Sequence, residues 1–313
     1  MNNILPISVL IPTMNRPDSL ERTLKKYMNS KFIPSQIVVI DQSVEKVVAD
    51  RNKKVLESIA NEIDFIYIYQ KEPSLTKARN NAIKEAVNDI VICSDDDIDV
   101  YEDTLINAYS VMSDSNVVMI SGLDDNMPLS ETKMGYLLGF KSFKNRHIGH
   151  VTNSLLGRFP DRIDNETDTM WAMGFFFVIR KSLVNKWNLQ WDEKLTGYAY
   201  AEDLDFSYSY YKKAKIENLK CIMTNRVRVK HLASQEFRTP SRKYMFMYVL
   251  NRYYLSNKHQ MGLKSLISMK ISNYIMIIFQ KLKSGNPKDL KDAINYLKHH
   301  KEEIKKGKFI YDE

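Results

Sequence analysis

The chain has 313 residues, of which 44% are hydrophobic and 27% are charged. This composition permits a sizeable core and excludes a fibrous or largely disordered protein. The net charge of +8 favours anionic partners such as nucleotides, phosphates, nucleic acid or an anionic membrane, although a merely basic surface has the same charge.

The beginning of the sequence lacks the features of a secretion signal. The stretch MNNILPISVLIPTMNR has no basic region, and Pro6 and Pro12 interrupt its apolar run. No uninterrupted apolar run in the chain approaches the roughly 20 residues of a transmembrane helix. The two cysteines, Cys93 and Cys221, are too few for a disulfide framework. These features predict a cytoplasmic protein.

Strand and helix signals alternate through the first third of the chain. Continuous apolar runs predict buried strands at residues 7–12, 36–41, 63–70 and 89–95. Amphipathic patterns predict helices between them, at residues 18–30, 45–62 and 74–87. This alternation predicts a parallel sheet, and ligands bind such sheets beyond the carboxyl ends of the strands. The polar stretches PTMNRP, DQS and SDDD are therefore expected along one edge of the sheet.

The rest of the chain has a less regular sequence pattern. Residues 116–122 and 174–181 resemble further strands, whereas residues 141–150 and 156–168 resemble loops over a site. From about residue 240 the sequence is rich in aromatic residues, Met and Lys and predicts helices, with a turn at Gly285-Asn286-Pro287. No low-complexity linker precedes these helices, so we expect them to pack on the first domain.

Three consecutive aspartates, Asp95 to Asp97, follow the fourth predicted strand, and Asp99 lies two residues further on. Adjacent carboxylates repel one another and are costly to bury without compensation. A calcium loop is excluded because its sixth position is Val100 and its twelfth is Ile106. Two interpretations stay open: a solvated turn before a helix, or a site for Mg²⁺ or Mn²⁺ that bridges a diphosphate.

Six segments, in this order, resemble the family 2 glycosyltransferases. The segments are VLIPTMNRP (9–17), IVVIDQS (37–43), SLTKARNNAI (74–83), ICSDDDID (92–99), MGFFFVIRK (173–181) and YAYAEDLDFSYSYYK (198–212). The resemblance implies an α/β fold of the GT-A (Rossmann-like) type, with a mostly parallel central sheet flanked by helices and a C-terminal helical extension. It places the catalytic domain at 1–235, with a nucleotide-binding half (1–115) and an acceptor half (116–235), before a helical region at 236–313.

The same resemblance assigns roles to individual residues. Those expected to bind the donor are Pro12, Thr13, Asn15, Arg16, Asp41, Lys77, Arg79, Asp95 and Asp96. Those expected to hold the divalent cation, Mn²⁺ or Mg²⁺, are Asp97, Asp95 and His231. Trp171, Gly174 and Glu202 are expected to bind the acceptor, and Asp203 to take the proton of the attacking hydroxyl. For each position a structural explanation also exists, such as a core Trp171 or a surface Lys77.

The chain departs from the family pattern at three positions. The family often has Gly at the positions of Ser74 and Ala201 and a second Asp at the position of Gln42. Gln42 weakens the expectation for recognition of the nucleotide base. None of these departures removes a carboxylate that the mechanism needs.

The resemblance implies an inverting, metal-dependent glycosyltransferase. Its donor would be a UDP- or dTDP-linked sugar, and its acceptor a hydroxyl of a glycan or lipid-linked glycan in bacterial surface polysaccharide synthesis. A sugar nucleotidyltransferase is one alternative, although a glycine-rich phosphate loop is missing near the N-terminus. A basic nucleic-acid-binding protein is another, although no recognition motif supports it.

The C-terminal region also suggests peripheral attachment to the inner face of the cell membrane. One of its segments mixes aromatic and basic residues, as helices on a membrane surface do. The residues are Tyr244, Phe246, Tyr248, Arg252, Tyr253, Tyr254 and Lys258. The alternative is that this segment packs on the catalytic domain.

Overall fold

A computed structural model shows an α/β fold. It describes residues 3–59, 63–125, 142–163, 165–233, 240–283 and 285–311. The strands within these residues are β1 (Asn3–Thr13), β2 (Phe32–Asp41), β3 (Asp64–Tyr69), β4 (Ile90–Ser94), β5 (Ile98–Val100), β6 (Val117–Asp124), β7 (His150–Val151), β8 (Gly157–Arg158), β9 (Thr167–Asp168), β10 (Phe176–Arg180) and β11 (Lys220–His231).

The helices begin between the strands and continue after them. Within the described residues they are α1 (Pro17–Met28), α2 (Lys46–Ile59), α3 (Leu75–Glu85), α4 (Thr104–Met112), α5 (Lys181–Lys186), α6 (Glu202–Ile216), α7 (Ser241–Lys258), α8 (Gly262–Leu282), α9 (Lys288–His299) and α10 (Lys301–Lys305), besides a short 3₁₀ turn at Phe143–Asn145. The predicted alternation in the first third is confirmed. The end of the predicted helix 45–62, the start of the predicted loop 141–150, and residues 236–239 lie outside the described residues.

A central sheet of nine described strands has the order β3-β2-β1-β4-β10-β6-β11-β5, and β9 pairs with β11. Strands β1 to β4 are parallel to one another wherever they pair, and β6 is parallel to β11. Strand β10 is antiparallel to both of its neighbours, β4 and β6. The sheet is therefore mixed but mostly parallel, as the sequence predicts.

Helices cover both faces of this sheet, which explains why its central strands are apolar throughout. On one face, Val9 and Ile11 of β1 pack in a cluster with Leu20 and Leu24 of α1. On the other face, Leu10 belongs to a cluster that includes residues of α3. Alternate residues of a strand point to opposite faces, so a strand buried on both sides has no polar face.

Helix α7 is a core element. Phe246, Tyr248, Arg252 and Tyr254 are each at most 6% exposed. The three aromatic residues share an apolar cluster with residues of the preceding segments, such as Trp171 and Leu204. The Arg252 side chain donates from Nε to the Ser154 carbonyl at 2.8 Å. The prediction that this segment forms a membrane surface is therefore wrong for these residues, because their side chains fill the interior. Within the described residues, no helix is long and apolar enough to cross a membrane.

Candidate active site

The polar stretches that follow β1, β2 and β4 meet at one edge of the sheet, where a cleft of about 410 Å³ opens. Its walls include Thr13, Arg16, Gln42, Asp95 and Lys243. We call it the first cleft. The carboxyl ends of parallel strands lie on the same side of a sheet, and this is why three segments far apart in sequence converge here.

A second cleft of about 350 Å³ adjoins the first. Arg158, Trp171, Gly174 and Asp203 lie on its walls. Asp95 lines both clefts, so a ligand that fills the first cleft ends beside the opening of the second.

The three adjacent aspartates have different environments. The Asp96 carboxylate points inward, where it accepts a hydrogen bond from Thr13 Oγ1 at 2.6 Å and one from Arg16 Nη1 at 3.2 Å. The Asp96 carbonyl accepts from Thr23 Oγ1 at 2.8 Å. These bonds hold the turn. Asp95 and Asp97 are directed instead toward His231, and their ligand atoms and that of His231 all lie within 4.8 Å of one another.

His231 is placed by the sheet and by an aromatic ring. It ends strand β11, opposite Ile98 of β5, and its imidazole stacks on Phe175 with ring centres 5.1 Å apart. His231 Nε2 lies 3.2 Å from Asp97 Oδ1. Burial alone would lower the pKa of His231, but the hydrogen bond with Asp97 and the nearby carboxylates raise it.

The donor atoms of this group fit a divalent cation. Carboxylate oxygens suit Mg²⁺ and Mn²⁺, and an imidazole nitrogen is a reasonable further ligand for Mn²⁺. Burial raises the pKa of Asp95 and of Asp96, because their charges are removed from water. A cation beside Asp95 and Asp97 would offset that cost. The structure thus brings together the three residues that the sequence assigns to the metal.

Arg79 links the aspartates to a second acidic group. It is 3% exposed, and its Nη2 lies 3.2 Å from Asp95 while its Nε lies 3.3 Å from Glu202. Nη2 also donates to the Gly174 carbonyl at 3.0 Å. The Arg79 guanidinium is therefore a buried bridge between the two acidic centres. Arg79 is also one of the residues that line the second cleft.

Asp203 stands at the start of helix α6 with its side chain partly exposed in the second cleft. It accepts from the Gly174 amide at 2.8 Å and from the Leu204 amide at 2.7 Å. Burial raises the pKa of Asp203, and the backbone amides oppose that rise. Two donors fix the carboxylate while it keeps a side toward the cleft, which is the geometry of a positioned base.

Two backbone features hold this arrangement. A Cβ atom on Gly174 would lie 3.1 Å from Arg79 Nη2 and 3.2 Å from Asp203 Cβ, so a larger residue would push these side chains apart. Ala199 and Ala201 have φ angles of 54° and 67°, in the left-handed region that non-glycine residues rarely adopt. The sharp turn that they form delivers Glu202 and Asp203 to the junction of the clefts.

Some residues predicted to bind ligand have other surroundings. Asp41 is 0% exposed and accepts hydrogen bonds from Asn52 and Tyr67 and from the Ser43 amide, each at 2.8 Å. Among the described residues that line the first cleft is Gln42, but not its fully buried neighbour Asp41. Lys77 is partly exposed, with its Nζ 3.5 Å from the Glu72 carboxylate.

Other predicted residues lie at the clefts or support them. Pro12, Thr13, Arg16 and Asp96 line the first cleft. Asn15 connects two loops, because its amide donates to Ser43 Oγ and its side-chain oxygen accepts from the Val44 amide, both at 3.0 Å. Trp171 is 4% exposed, so most of its ring is core and only an edge reaches the second cleft.

Sequence reasoning missed several cleft residues, among them three with large polar side chains. Lys243 of helix α7 lines the first cleft, Arg158 of strand β8 lines the second, and Tyr198 lines both. The glycine of the segment LTGY was a weak signal for a turn near Tyr198, since Gly197 has a φ of 64°. Nothing in the sequence indicated that Lys243, so far from Asp95 and Asp96 along the chain, would line the same cleft.

Comparison with known proteins gives one family. The family described as "Glycosyl transferase family 2" matches residues 8–187. No curated protein matches the chain.

Several solved structures are similar. The mannosyltransferase PcManGT from Pyrobaculum calidifontis, in complex with GDP-Man and Mn²⁺, has a TM-score of 0.55 and 15% identity over 95% of this chain and 75% of that one. S. aureus TarS 1-349 in complex with UDP-GlcNAc has a TM-score of 0.52 and 15% identity over 88% and 73% of the two chains. GalNAc-T7 with UDP, GalNAc and Mn²⁺ has a TM-score of 0.59 and 16% identity over 84% and 52%. At these identities the likeness shows a shared fold.

Proposed function

The chain belongs to glycosyl transferase family 2 and is a glycosyltransferase with a GT-A fold, and from that premise we propose that it transfers a sugar from a nucleoside diphosphate to an acceptor hydroxyl with inversion. One observation carries the proposal. Asp95 and His231, which group with Asp97, line the second cleft together with the partly exposed Asp203, and Asp95 also lines the first cleft. A leaving group in the first cleft and an attacking hydroxyl in the second would meet at the junction of the clefts.

The first cleft suits the nucleotide part of the donor. The cationic side chains of Arg16 and Lys243 line it, and a diphosphate is an anion. We propose a UDP- or dTDP-linked sugar, as the sequence suggests. PcManGT was solved with GDP-Man and TarS with UDP-GlcNAc, so donors with either kind of base belong in a test.

Asp95, Asp97 and His231 would hold a divalent cation, which we propose is Mn²⁺ or Mg²⁺. When bound, such a cation supplies positive charge that stabilises the departing diphosphate. Thr13 and Arg16 keep Asp96 turned away from this group, so the aspartate turn has a fixed shape. This pre-organisation lowers the cost of arranging the ligands.

Asp203 is the proposed base. It takes the proton of the acceptor hydroxyl as that oxygen attacks the anomeric carbon from the face opposite the leaving group. A carboxylate whose pKa is raised by burial is a stronger base than an exposed one. Glu202, paired with Arg79, holds the guanidinium in place and with it the Gly174 amide that contacts Asp203.

The acceptor would occupy the second cleft, beside Trp171 and Gly174. Its walls mix aromatic and polar side chains, which suits a sugar that has both apolar and hydroxyl faces. We propose a glycan or lipid-linked glycan acceptor in the synthesis of a bacterial surface polysaccharide. The acceptor choice rests on the sequence resemblance and on this lining.

The test is release of nucleoside diphosphate from a panel of UDP-, dTDP- and GDP-linked sugars, with Mn²⁺ and with a chelator. Asp97→Asn and Asp203→Asn are the test variants, and Asp18→Asn, a surface change on helix α1, is the matched control. We expect metal-dependent release from one donor, lost in both test variants and kept in the control. Calorimetry should show that Asp203→Asn still binds the donor. If no nucleotide sugar binds with or without metal, the proposal is wrong.

A further inference from the structure

The positive charge of the chain is concentrated at its C-terminal end. Between residues 240 and 313, Lys and Arg number 15 and Asp and Glu number 6, an excess larger than the +8 of the whole chain. Residues 240–288 contain no Asp or Glu at all. Residues 1–239, which supply most of the lining of the two clefts, are therefore close to neutral, and the C-terminal helices carry the charge.

Helix α8 presents an apolar face to solvent. Six large apolar side chains on it are each more than half exposed. They are Leu263, Ile267, Ile271, Tyr274, Ile278 and Leu282. Their spacing of three or four residues places them on one side of the helix, over a length of about 30 Å. We refer to these six residues as the apolar face.

The opposite side of helix α8 is anchored. Arg252 of helix α7 donates to Ser272 Oγ at 2.7 Å and to Asn273 Oδ1 at 3.0 Å. Ser256 Oγ donates to Ser265 Oγ at 2.7 Å, and Met269 is buried. Helix α8 is thus held against helix α7 while its apolar face is exposed. A rotation of helix α8 that buried this face would break these hydrogen bonds.

A groove of about 450 Å³ runs beside the apolar face, between helices α7, α8 and α9. Leu266, Met269 and Leu297 contribute to its apolar lining. Lys270, Lys298 and Lys301 also line it. Lys264 and Lys281 are two further exposed lysines of helix α8 itself. Apolar side chains and ammonium groups therefore occupy neighbouring parts of one surface.

We propose that the apolar face docks on an anionic lipid bilayer, with helix α8 lying in the plane of the headgroups and the lysines contacting lipid phosphates. Such helices combine a strongly apolar face with basic residues and do not span the membrane. A second copy of the chain is a poorer occupant, because it would bring lysines against lysines with no acidic residue of this helix to offset them. The inference does not depend on the proposed reaction.

The experiment is flotation of the full chain with vesicles of phosphatidylcholine alone or of equal parts phosphatidylcholine and phosphatidylglycerol. The test variant carries Ile267→Gln, Ile271→Gln and Ile278→Gln, which keep helix-compatible side chains of similar length. Its matched control carries Val47→Gln and Ile216→Gln, two exposed apolar residues of the catalytic region. Circular dichroism confirms that each variant is folded.

We expect binding to the anionic vesicles only, weakened by salt and reduced at least about tenfold in the test variant but not in the control. A second variant, with Lys264→Gln, Lys270→Gln and Lys298→Gln, should lose binding to the same vesicles, whereas Lys31→Gln with Lys54→Gln should keep it. Equal binding by the wild type and the test variant would overturn the proposal. Failure of the wild type to bind either kind of vesicle would also overturn it. A wild type that is a dimer in light scattering, with a monomeric test variant, would overturn it as well.

Discussion

Replacing Arg79 with methionine tests the bridge between the two acidic centres. Arg79 is 3% exposed and Glu202 is 5% exposed, so the substitution leaves a buried carboxylate without its partner. Breaking such a pair costs about 3–5 kcal/mol, and the Gly174 carbonyl loses a donor worth about 1 kcal/mol. Asp95 is a third exposed, so its lost ion pair adds little. Above the folded-state pKa of Glu202, about 8, where this acid is ionised, we expect the free energy of unfolding to fall by about 4 kcal/mol.

The size of this loss should depend on pH. Burial raises the pKa of Glu202, and the Arg79 guanidinium opposes that rise. In Arg79→Met the pKa of Glu202 therefore rises further, and the folded state favours the protonated acid. In the wild type, burial already raises the pKa of Glu202 to about 8, so at lower pH the acid is protonated in both folded proteins and the pH-dependent part of the loss is small. That part grows as the pH rises above about 8 toward the higher folded-state pKa of the variant.

Urea unfolding followed by circular dichroism, at acidic and at mildly alkaline pH, measures both effects. The double variant Arg79→Met/Glu202→Gln removes the unpaired charge, so it should recover most of the loss and show little of the pH dependence. A double variant no more stable than Arg79→Met would show that the loss comes from packing alone. A loss below about 1 kcal/mol in Arg79→Met at alkaline pH, above the Glu202 pKa of about 8, would refute the bridge.

Four further outcomes are expected. Asp203→Asn should lower kcat by about 10²–10⁴ with donor affinity unchanged, measured by product release and calorimetry. The wild-type rate should fall as the pH drops through the pKa of Asp203. The midpoint of this fall should lie above the ordinary aspartate pKa of about 3.9, because burial raises the pKa of Asp203. His231→Gln should raise the Mn²⁺ concentration for half-maximal activity at least about tenfold, whereas the exposed control His147→Gln should not. Ala201→Gly should leave the free energy of unfolding unchanged or raise it by up to about 1 kcal/mol, since it relieves a left-handed alanine, whereas Ala214→Gly in the same helix should lower it by about 1 kcal/mol or more.

Each of these has an outcome that contradicts it. Full activity in Asp203→Asn would show that Asp203 is not the base. A fall in rate centred on the ordinary aspartate pKa would mean that Asp203 is effectively solvated in the working enzyme. An unchanged Mn²⁺ response in His231→Gln would leave the imidazole a structural role beside Phe175. A destabilising Ala201→Gly would show that the turn before helix α6 costs an alanine no conformational energy.

The sequence by itself determined the sheet and the acidic centres. Apolar runs such as residues 36–41 are buried on both faces, so they are readable without knowledge of their neighbours. Asp95 and Asp97 follow a strand directly, and local order is enough to place them at its carboxyl end. The resemblance to one family assigned Asp203, within one of the six segments, and His231, beyond the last of them, to the same site, and the structure brings His231 within reach of the aspartates.

Only the tertiary structure decided which side chains face a ligand and which support those that do. Arg79 is a buried bridge and Asp41 is fully buried, because Glu202 pairs with the first and Asn52 donates a hydrogen bond to the second. The same holds for the C-terminal helices. Helices α7 and α8 are similar in composition, but α7 is covered by the catalytic region and α8 is covered on one side only. Composition sets how much apolar surface a helix has, and the packing of its neighbours decides how much of that surface remains exposed.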